Sequence, residues 1–154
     1  MIYQKSKLRG KTNCIWISPI CYFFLRYCIL SPEVVLRPPF KRVGGGLGFI
    51  PLEIGQGVII GARSVVSAAV IETGVVIGCD CVIGRQAVLK SGCVVADNTY
   101  IPPETVVPPL AVAYGNPAKI KLDALPDAAR EMLDSLACSV YYRFDKLLKD
   151  QTKP

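Results

Sequence analysis

A chain of 154 residues has room for one domain with a short tail at each end. Hydrophobic residues make up 51% and charged residues 19%, which excludes a disordered chain and favours a globular one. The formal net charge of +6 is unevenly placed: the first 42 residues hold eight Lys/Arg and one acidic residue, and the remainder holds ten Lys/Arg and eleven Asp/Glu. This basic arm lacks the aromatic–basic pattern of a nucleic-acid module, so no nucleic-acid partner is expected.

Histidine is absent from these residues, which removes the commonest general base and metal ligand. Seven cysteines are present, without any Cys-x-x-Cys pair, at positions 14, 21, 28, 79, 81, 93 and 138. An odd number without a clear signal peptide indicates free thiols in a reducing compartment. We expect no catalytic residue, no metal site and no cofactor.

Residues 1–25 form an atypical N-terminal segment. Residues 13–30 are very apolar, but Pro19 and Arg26 interrupt them, and the unbroken run is too short to span a bilayer. A signal peptide is the alternative, although no small-residue cleavage site is evident. We expect no membrane insertion and interpret this stretch as an incomplete or atypical first coil of the repeat that follows.

A six-residue step begins inside this stretch and predicts a repeat domain over residues 26–118. Aliphatic or aromatic residues recur at every sixth position, at Phe24, Leu30 and Leu36. Smaller residues stand between them, at Cys28 and Val34.

Residues 37–48 interrupt the step. Two prolines and the run of three glycines at 44–46 predict a loop that protrudes from the repeat. A phosphate-binding glycine loop is the alternative, but no Gly-Lys-Ser/Thr follows. An exposed aromatic flanked by cations suits a protein–protein contact, and the neighbouring N-terminal coil has no evident cap. We therefore predict that this coil end and the loop bind partners, through Arg37, Pro38, Pro39, Phe40, Lys41 and Arg42.

From residue 54 to residue 113 the step is regular, apart from a single-residue deletion before Ile71. The aliphatic positions are Ile54, Ile60, Val66, Ile71, Ile77, Ile83, Leu89, Val95, Ile101, Val107 and Ala113. A small or β-branched residue stands four positions after each of the first ten: Val58, Ser64, Val70, Val75, Cys81, Ala87, Cys93, Thr99, Thr105 and Ala111.

This pattern predicts an all-β solenoid, a left-handed parallel β-helix of hexapeptide repeats. Each hexad supplies one short strand and one corner, and three hexads close a coil of a triangular prism. The aliphatic residue fills the narrow interior, and the smaller residue fills the space near the corner. A period of six excludes an amphipathic helix. Three interior ladders are expected: Ile54/Ile71/Leu89/Val107, Ile60/Ile77/Val95/Ala113 and Val66/Ile83/Ile101.

Residues 119–154 are expected to form a linker and a C-terminal α-helix. Pro126 suits the first helical position, and Asp127 and Glu131 suit the first turn. Helical spacing follows at Ala129, Met132, Leu133, Leu136, Val140, Phe144, Leu147 and Leu148. We predict a helix from about Pro126 to Lys149, packed on the outside of the prism; a partner-binding helix is the alternative.

Three stretches carry a resemblance to a known family. They are Arg37–Lys41 with Phe49–Leu52, then Cys81–Lys90, and Asp97–Pro109 with its doubled prolines. From about Arg26 to the C-terminal helix the chain resembles the dynactin subunit 5 family. The resemblance implies a non-catalytic subunit of the dynactin pointed-end complex, in the cytoplasm and cytoskeleton, that supports dynein-driven cargo transport along microtubules. The implied partners are dynactin subunit 6, the pointed-end actin-related protein and cargo adaptors.

An enzyme is the alternative class. Residues 115–119, Gly-Asn-Pro-Ala-Lys, resemble the exit motif of hexapeptide acyltransferases, and gamma-class carbonic anhydrases share the repeat. Both families generally use histidines, which this chain lacks. Asp80, Asp97 and Glu104 remain as bases, but a solvated carboxylate has a pKa near ~4 and is a poor one. We therefore expect no catalysis.

Overall fold

The structure, a computed structural model, describes residues 15–16 and 27–122. Further along the chain it describes 126, 128–129, 131–133, 135–136, 138–139, 142–143 and 146. No helix within these residues is long and apolar enough to cross a membrane. The predicted Phe24 position and most of the atypical N-terminal segment lie outside the described residues.

Short parallel strands, numbered in chain order, build three sheets that form the faces of a prism. The first sheet holds β1 (Ile15–Trp16), β3 (Val35–Leu36), β8 (Val65–Val66), β11 (Val82–Ile83) and β14 (Tyr100–Ile101). The second holds β2 (Ile29–Leu30), β7 (Ile59–Ile60), β10 (Val76–Ile77), β13 (Val94–Val95), β16 (Val112–Tyr114) and the antiparallel β17 (Lys119–Lys121). The third holds β6 (Glu53–Ile54), β9 (Val70–Ile71), β12 (Val88–Leu89) and β15 (Val106–Val107). The predicted parallel β-solenoid is confirmed.

The three interior ladders are confirmed as in-register pairs, and all eleven aliphatic positions are buried. Leu30 pairs with Ile60, and Leu36 pairs with Val66, so the earlier hexads belong to the same prism. β1 pairs in parallel with β3. The atypical N-terminal segment therefore contributes a strand to the first sheet.

Of the ten smaller positions from Val58 to Ala111, all but two are buried, and Cys28 in the earlier hexads is half-buried. Val70 was expected at a corner but is a half-buried strand residue, and Ala68 takes the buried place instead. The reason is the single-residue deletion, which moves the start of β9 one residue earlier. Thr105 is only half-buried, next to the last strand of the third sheet.

Ser64 shows how a polar side chain is accommodated in this interior. Its hydroxyl donates to the Gly78 carbonyl at 2.8 Å and accepts from the Cys81 N–H at 3.1 Å. A buried hydroxyl is tolerated when both its roles are satisfied. Ser64 thereby links its own corner to the next one along the prism.

Two kinds of residue shape the corners: those that adopt left-handed backbone and those that allow neighbouring coils to stack closely. Left-handed backbone is adopted mostly by residues other than glycine, such as Arg63 (φ 58°), Asp80 (φ 54°) and Asn98 (φ 57°). Each of these donates its backbone N–H to a carbonyl of the preceding coil, at 3.2, 2.9 and 2.9 Å. Gly61 is needed for close stacking instead, because a Cβ there would lie 2.5 Å from the backbone carbon of Gly78.

The C-terminal segment is helical at every described position from 128 to 146, whereas Pro126 is not. Ala129 and Leu133 are half-buried, and Met132 and Leu136 are exposed, so only part of the apolar spacing is covered. The ring of Tyr142 lies 6.0 Å from that of Tyr27, which connects the helix to the start of the prism. Val140, Phe144, Leu147 and Leu148 lie outside the described residues.

The ladder predicts that the same substitution at two neighbouring residues changes the free energy of unfolding by very different amounts. Ile83 is buried between Val66 and Ile101, so Ile83→Asp would bury an unpaired carboxylate and cost several kcal/mol, roughly 3 or more. Val82→Asp, on the exposed side of the same strand, is the matched control and should cost about 1 kcal/mol or less. Thermal unfolding measures both. An Ile83→Asp melting temperature equal to that of wild type would contradict the ladder.

Candidate partner-binding surface

The segment expected to be an irregular loop is a β-hairpin. β4 (Phe40–Val43) pairs antiparallel with β5 (Gly46–Phe49). Gly44 and Gly45 connect them with φ of 55° and 85°, the combination that a two-residue turn of type I′ requires. The glycines therefore fix a tight turn that matches the twist of the strands, and do not provide flexibility.

The base of the hairpin is pinned to the prism at a shortened turn. Arg37 N–H donates to the Val66 carbonyl at 2.8 Å, and Glu53 N–H donates to the Ala69 carbonyl at 2.9 Å. Only three residues separate β8 from β9 below the hairpin, compared with four between β11 and β12. The deletion thus lies directly under the point where the hairpin leaves the prism.

The six predicted binding residues take different positions. Pro38 and Pro39 are buried, so they hold the base of the hairpin and do not present a surface. Arg37, Lys41 and Arg42 are exposed. No carboxylate occurs in residues 37–52, so every charged side chain of this segment is cationic.

Phe40 has a second role that the sequence does not reveal. The Arg85 guanidinium carbon lies 4.8 Å from the centre of the Phe40 ring, within the range of a cation–π contact. Arg85 lies in the turn between β11 and β12, so the contact ties the hairpin to the wall of the prism. Arg85 remains exposed in this turn while it makes the contact.

Two exposed apolar residues were missed by the sequence analysis. Phe40, Leu47 and Phe49 are 41%, 60% and 49% exposed. Phe40 is directly opposite Phe49, and Arg42 is opposite Leu47, so all four side chains share one face of the hairpin. The alternation of Leu47, Gly48 and Phe49 after a Gly-Gly turn was the available signal. We refer to these four residues as the hairpin face.

The polar clusters on the prism are structural ion pairs. Arg63 donates to both Asp80 oxygens at 2.7 and 2.6 Å, and this pairing holds the pKa of Asp80 below its usual range. The Lys90 ammonium and the Ser91 hydroxyl donate to Glu72, and these hydrogen bonds lower the pKa of Glu72. Ionised carboxylates with lowered pKa values are poor general bases at neutral pH.

The interior thiols are held in their protonated form. Burial raises the pKa of Cys93 to about 12 and also raises the pKa of Cys81. Both side chains are fully buried at the small interior positions, as expected. Within the described part of the chain, no three Cys, Asp or Glu side chains converge to hold a metal ion.

The family model of dynactin subunit 5 matches residues 5–150. The chain belongs to the dynactin subunit 5 family. The match begins well before Arg26, so the family relationship extends further toward the N-terminus than the sequence motifs indicate. Much of the segment expected to be atypical lies inside it.

Among solved structures, the chain is similar to bacterial hexapeptide-repeat proteins. One is a hexapeptide-repeat-containing acetyltransferase from Vibrio cholerae O1 biovar eltor complexed with acetyl coenzyme A (24% identity, TM-score 0.53). That match covers 71% of this chain and 62% of the acetyltransferase, so the chain spans less than two thirds of that protein. Another is a hexapeptide transferase family protein from Anaplasma phagocytophilum (18% identity, TM-score 0.51, 84% and 89% covered). At these identities the likeness shows the shared fold of this dynactin subunit 5 family member.

Removal of the guanidinium at position 85 is expected to loosen the hairpin without unfolding the prism. Arg85→Ala should lower the free energy of unfolding by only about 0.5–1 kcal/mol. Trypsin should nevertheless cut faster after Lys41 and Arg42, because the hairpin loses its contact with the wall. Arg143→Ala, an exposed arginine on the helix, is the control and should not change the cleavage rate at the hairpin. Equal cleavage of both variants would contradict the anchoring role.

The raised thiol pKa values predict selective protection from alkylation. With a pKa of about 12, Cys93 is thiolate in only about one molecule in ten thousand at pH 8. N-ethylmaleimide should therefore label the half-buried Cys79 in the folded protein and leave Cys93 unlabelled until denaturant is added. Mass-spectrometric mapping measures the labelling at each site. Labelling of Cys93 as fast as Cys79 at pH 8 would contradict the burial of this thiol.

Proposed function

We propose that the chain is a non-catalytic structural subunit of the dynactin pointed-end complex, which supports dynein-driven cargo transport along microtubules through protein–protein contacts. The family match over residues 5–150 supports a dynactin subunit. The observation that carries the binding role is the hairpin, which projects two cations, Lys41 and Arg42, and three exposed apolar side chains from the prism. The proposed location is the cytoplasm and its cytoskeleton.

The proposed partners are other dynactin subunits. We place a second β-helix subunit, dynactin subunit 6, and the pointed-end actin-related protein first among them, with cargo adaptors as further partners. Clustered aromatic and arginine side chains are the residue types that most often dominate binding energy at interfaces. Binding is also predicted at the N-terminal end of the prism, but β1 covers the edge of β3 there. The hairpin is therefore the better-supported part of the predicted surface.

A catalytic role is not proposed. The resemblance to acetyltransferase structures concerns the fold, and catalysis depends on the residues of a site. Histidine does not occur in these 154 residues. Asp80 is engaged in an ion pair, and Cys81 and Cys93 are buried with raised pKa values. These groups are poorly suited to act as a base or a nucleophile.

Replacement of the exposed charges and aromatic of β4 tests this proposal. The Phe40→Ala/Lys41→Ser/Arg42→Ser variant should melt within a few degrees of wild type, because its side chains are exposed. Its recovery with dynactin subunits from native extract, measured by quantitative mass spectrometry, should fall by about tenfold or more. This corresponds to the loss of one binding hot spot.

The control variant loses the same kinds of side chain from another exposed surface, the C-terminal helix. Met132→Ala/Arg143→Ser/Lys146→Ser removes one exposed apolar side chain and two exposed cations from the C-terminal helix. It should assemble as wild type does. If the two triple variants are recovered equally, the hairpin serves only to connect two strands of the prism.

A further inference from the structure

Within the part of the chain that the structure describes, the outer edge of β5 carries unpaired backbone groups. A two-residue turn is closed by the hydrogen-bonded pair Val43/Gly46, and such pairs alternate with non-hydrogen-bonded ones along an antiparallel ladder. The pairs Arg42/Leu47 and Phe40/Phe49 are therefore non-hydrogen-bonded. Their N–H and C=O groups point away from the partner strand, toward the edges of the hairpin.

The base of the hairpin agrees with this alternation. Ile50 N–H donates to the Pro39 carbonyl at 2.7 Å, the position where the next hydrogen-bonded pair is due. Among the residues that the structure describes, β4 and β5 form a separate two-stranded sheet, and no third strand joins either edge. The N–H and C=O groups of Leu47 and Phe49 thus form an open edge.

The two edges of the hairpin are protected differently. β4 carries Lys41 and Arg42 and starts after two prolines, all of which are features that discourage pairing with another strand. β5 has the sequence Gly-Leu-Gly-Phe, without charge or proline. Its glycines add no side chains that would hinder an approaching backbone. β5 is therefore the edge that is open to pairing.

The side chains next to this edge define the chemistry of the occupant. Leu47 and Phe49 are exposed on the hairpin face, and Arg42 lies beside Leu47 on the same face. A strand added along β5 would place alternate side chains over this apolar and cationic surface. Apolar residues with an acidic residue among them complement it, since residues 37–52 contain no carboxylate of their own.

We propose that β5 is a β-augmentation site, which receives an extended segment of about four residues, apolar with an acidic residue, from another polypeptide of the assembly. This inference rests on the proposed function, because it specifies how the hairpin binds its partner. A two-stranded hairpin is only marginally stable alone, and a third strand stabilises it. Main-chain hydrogen bonds would supply affinity, and the hairpin face would supply selectivity.

Amide hydrogen exchange on the unmodified protein tests the backbone pairing. In purified dynactin that contains this chain, the amides of Leu47 and Phe49 should exchange about tenfold or more slower than in the isolated chain. Side-chain docking without strand pairing would leave both amides exchanging as in the isolated chain, and that result would overturn the inference. Protection that develops in the isolated chain as its concentration rises would mean pairing with a second copy, and would overturn it too.

A matched pair of variants at Leu47 tests the same main-chain hydrogen bond by removing or keeping its N–H donor. Leu47→Pro removes the outward N–H, and Leu47→Ala removes most of the side chain but keeps that N–H. In competition for incorporation into dynactin, the proline variant should perform about fivefold worse than the alanine variant. Circular dichroism and melting temperature show whether both remain folded.

The charge of the occupant has its own test. Arg42→Glu should reduce incorporation, and Arg42→Lys should retain most of it, because only the first reverses the sign of the charge on the hairpin face. Strand addition is refuted if the Leu47 proline and alanine variants enter dynactin equally and the amides of Leu47 and Phe49 exchange as in the isolated chain. The binding role of the hairpin is tested separately by the β4 triple variant. If the unmodified chain fails to enter dynactin, the proposed function itself is wrong.

Discussion

The narrow interior of the prism is the constraint on which the rest of this structure depends. Each two-residue strand sends one side chain inward, and that side chain must be aliphatic, of limited size and in register with those of the neighbouring coils. A change of register by one residue would turn the whole row outward. The close backbone approach at Gly61 and the two hydrogen bonds of Ser64 are consequences of the same tight stacking.

The six-residue period allows most of the fold to be predicted from the sequence. Eleven aliphatic positions with one deletion allow a single order of ladders, and the pairing follows that order throughout the described coils. The backbone conformation of the corners is harder to predict. Arg63, Asp80 and Leu110 adopt left-handed backbone, a conformation that costs about 1–2 kcal/mol for such residues, because the hydrogen bonds between coils determine it. Residue preference alone does not predict that outcome.

The segment predicted to bind partners was expected to be a protruding loop and is a β-hairpin. The prolines and glycines predicted a protruding loop, whereas Gly44 and Gly45 form a type I′ turn between two strands. Leu47 and Phe49 were therefore overlooked. The contact between Phe40 and Arg85 joins residues 45 positions apart, and no local spacing indicates it. On the C-terminal helix, both Ala129/Leu133 and Met132/Leu136 fit helical spacing, so only the orientation of the helix decides which pair is covered.

The contact between Phe40 and Arg85 has a consequence for how the prism unfolds. In a solenoid each coil touches only its immediate neighbours, so local opening can begin at one end and proceed coil by coil. The hairpin starts from the coil of Leu36, is pinned to the coil of Val66 and reaches Arg85 in the coil beyond. It therefore couples coils that are not neighbours. The coils of Leu36, Val66 and Ile83 should lose their structure as one cooperative block, and fraying of these coils should be suppressed for as long as the hairpin stays attached.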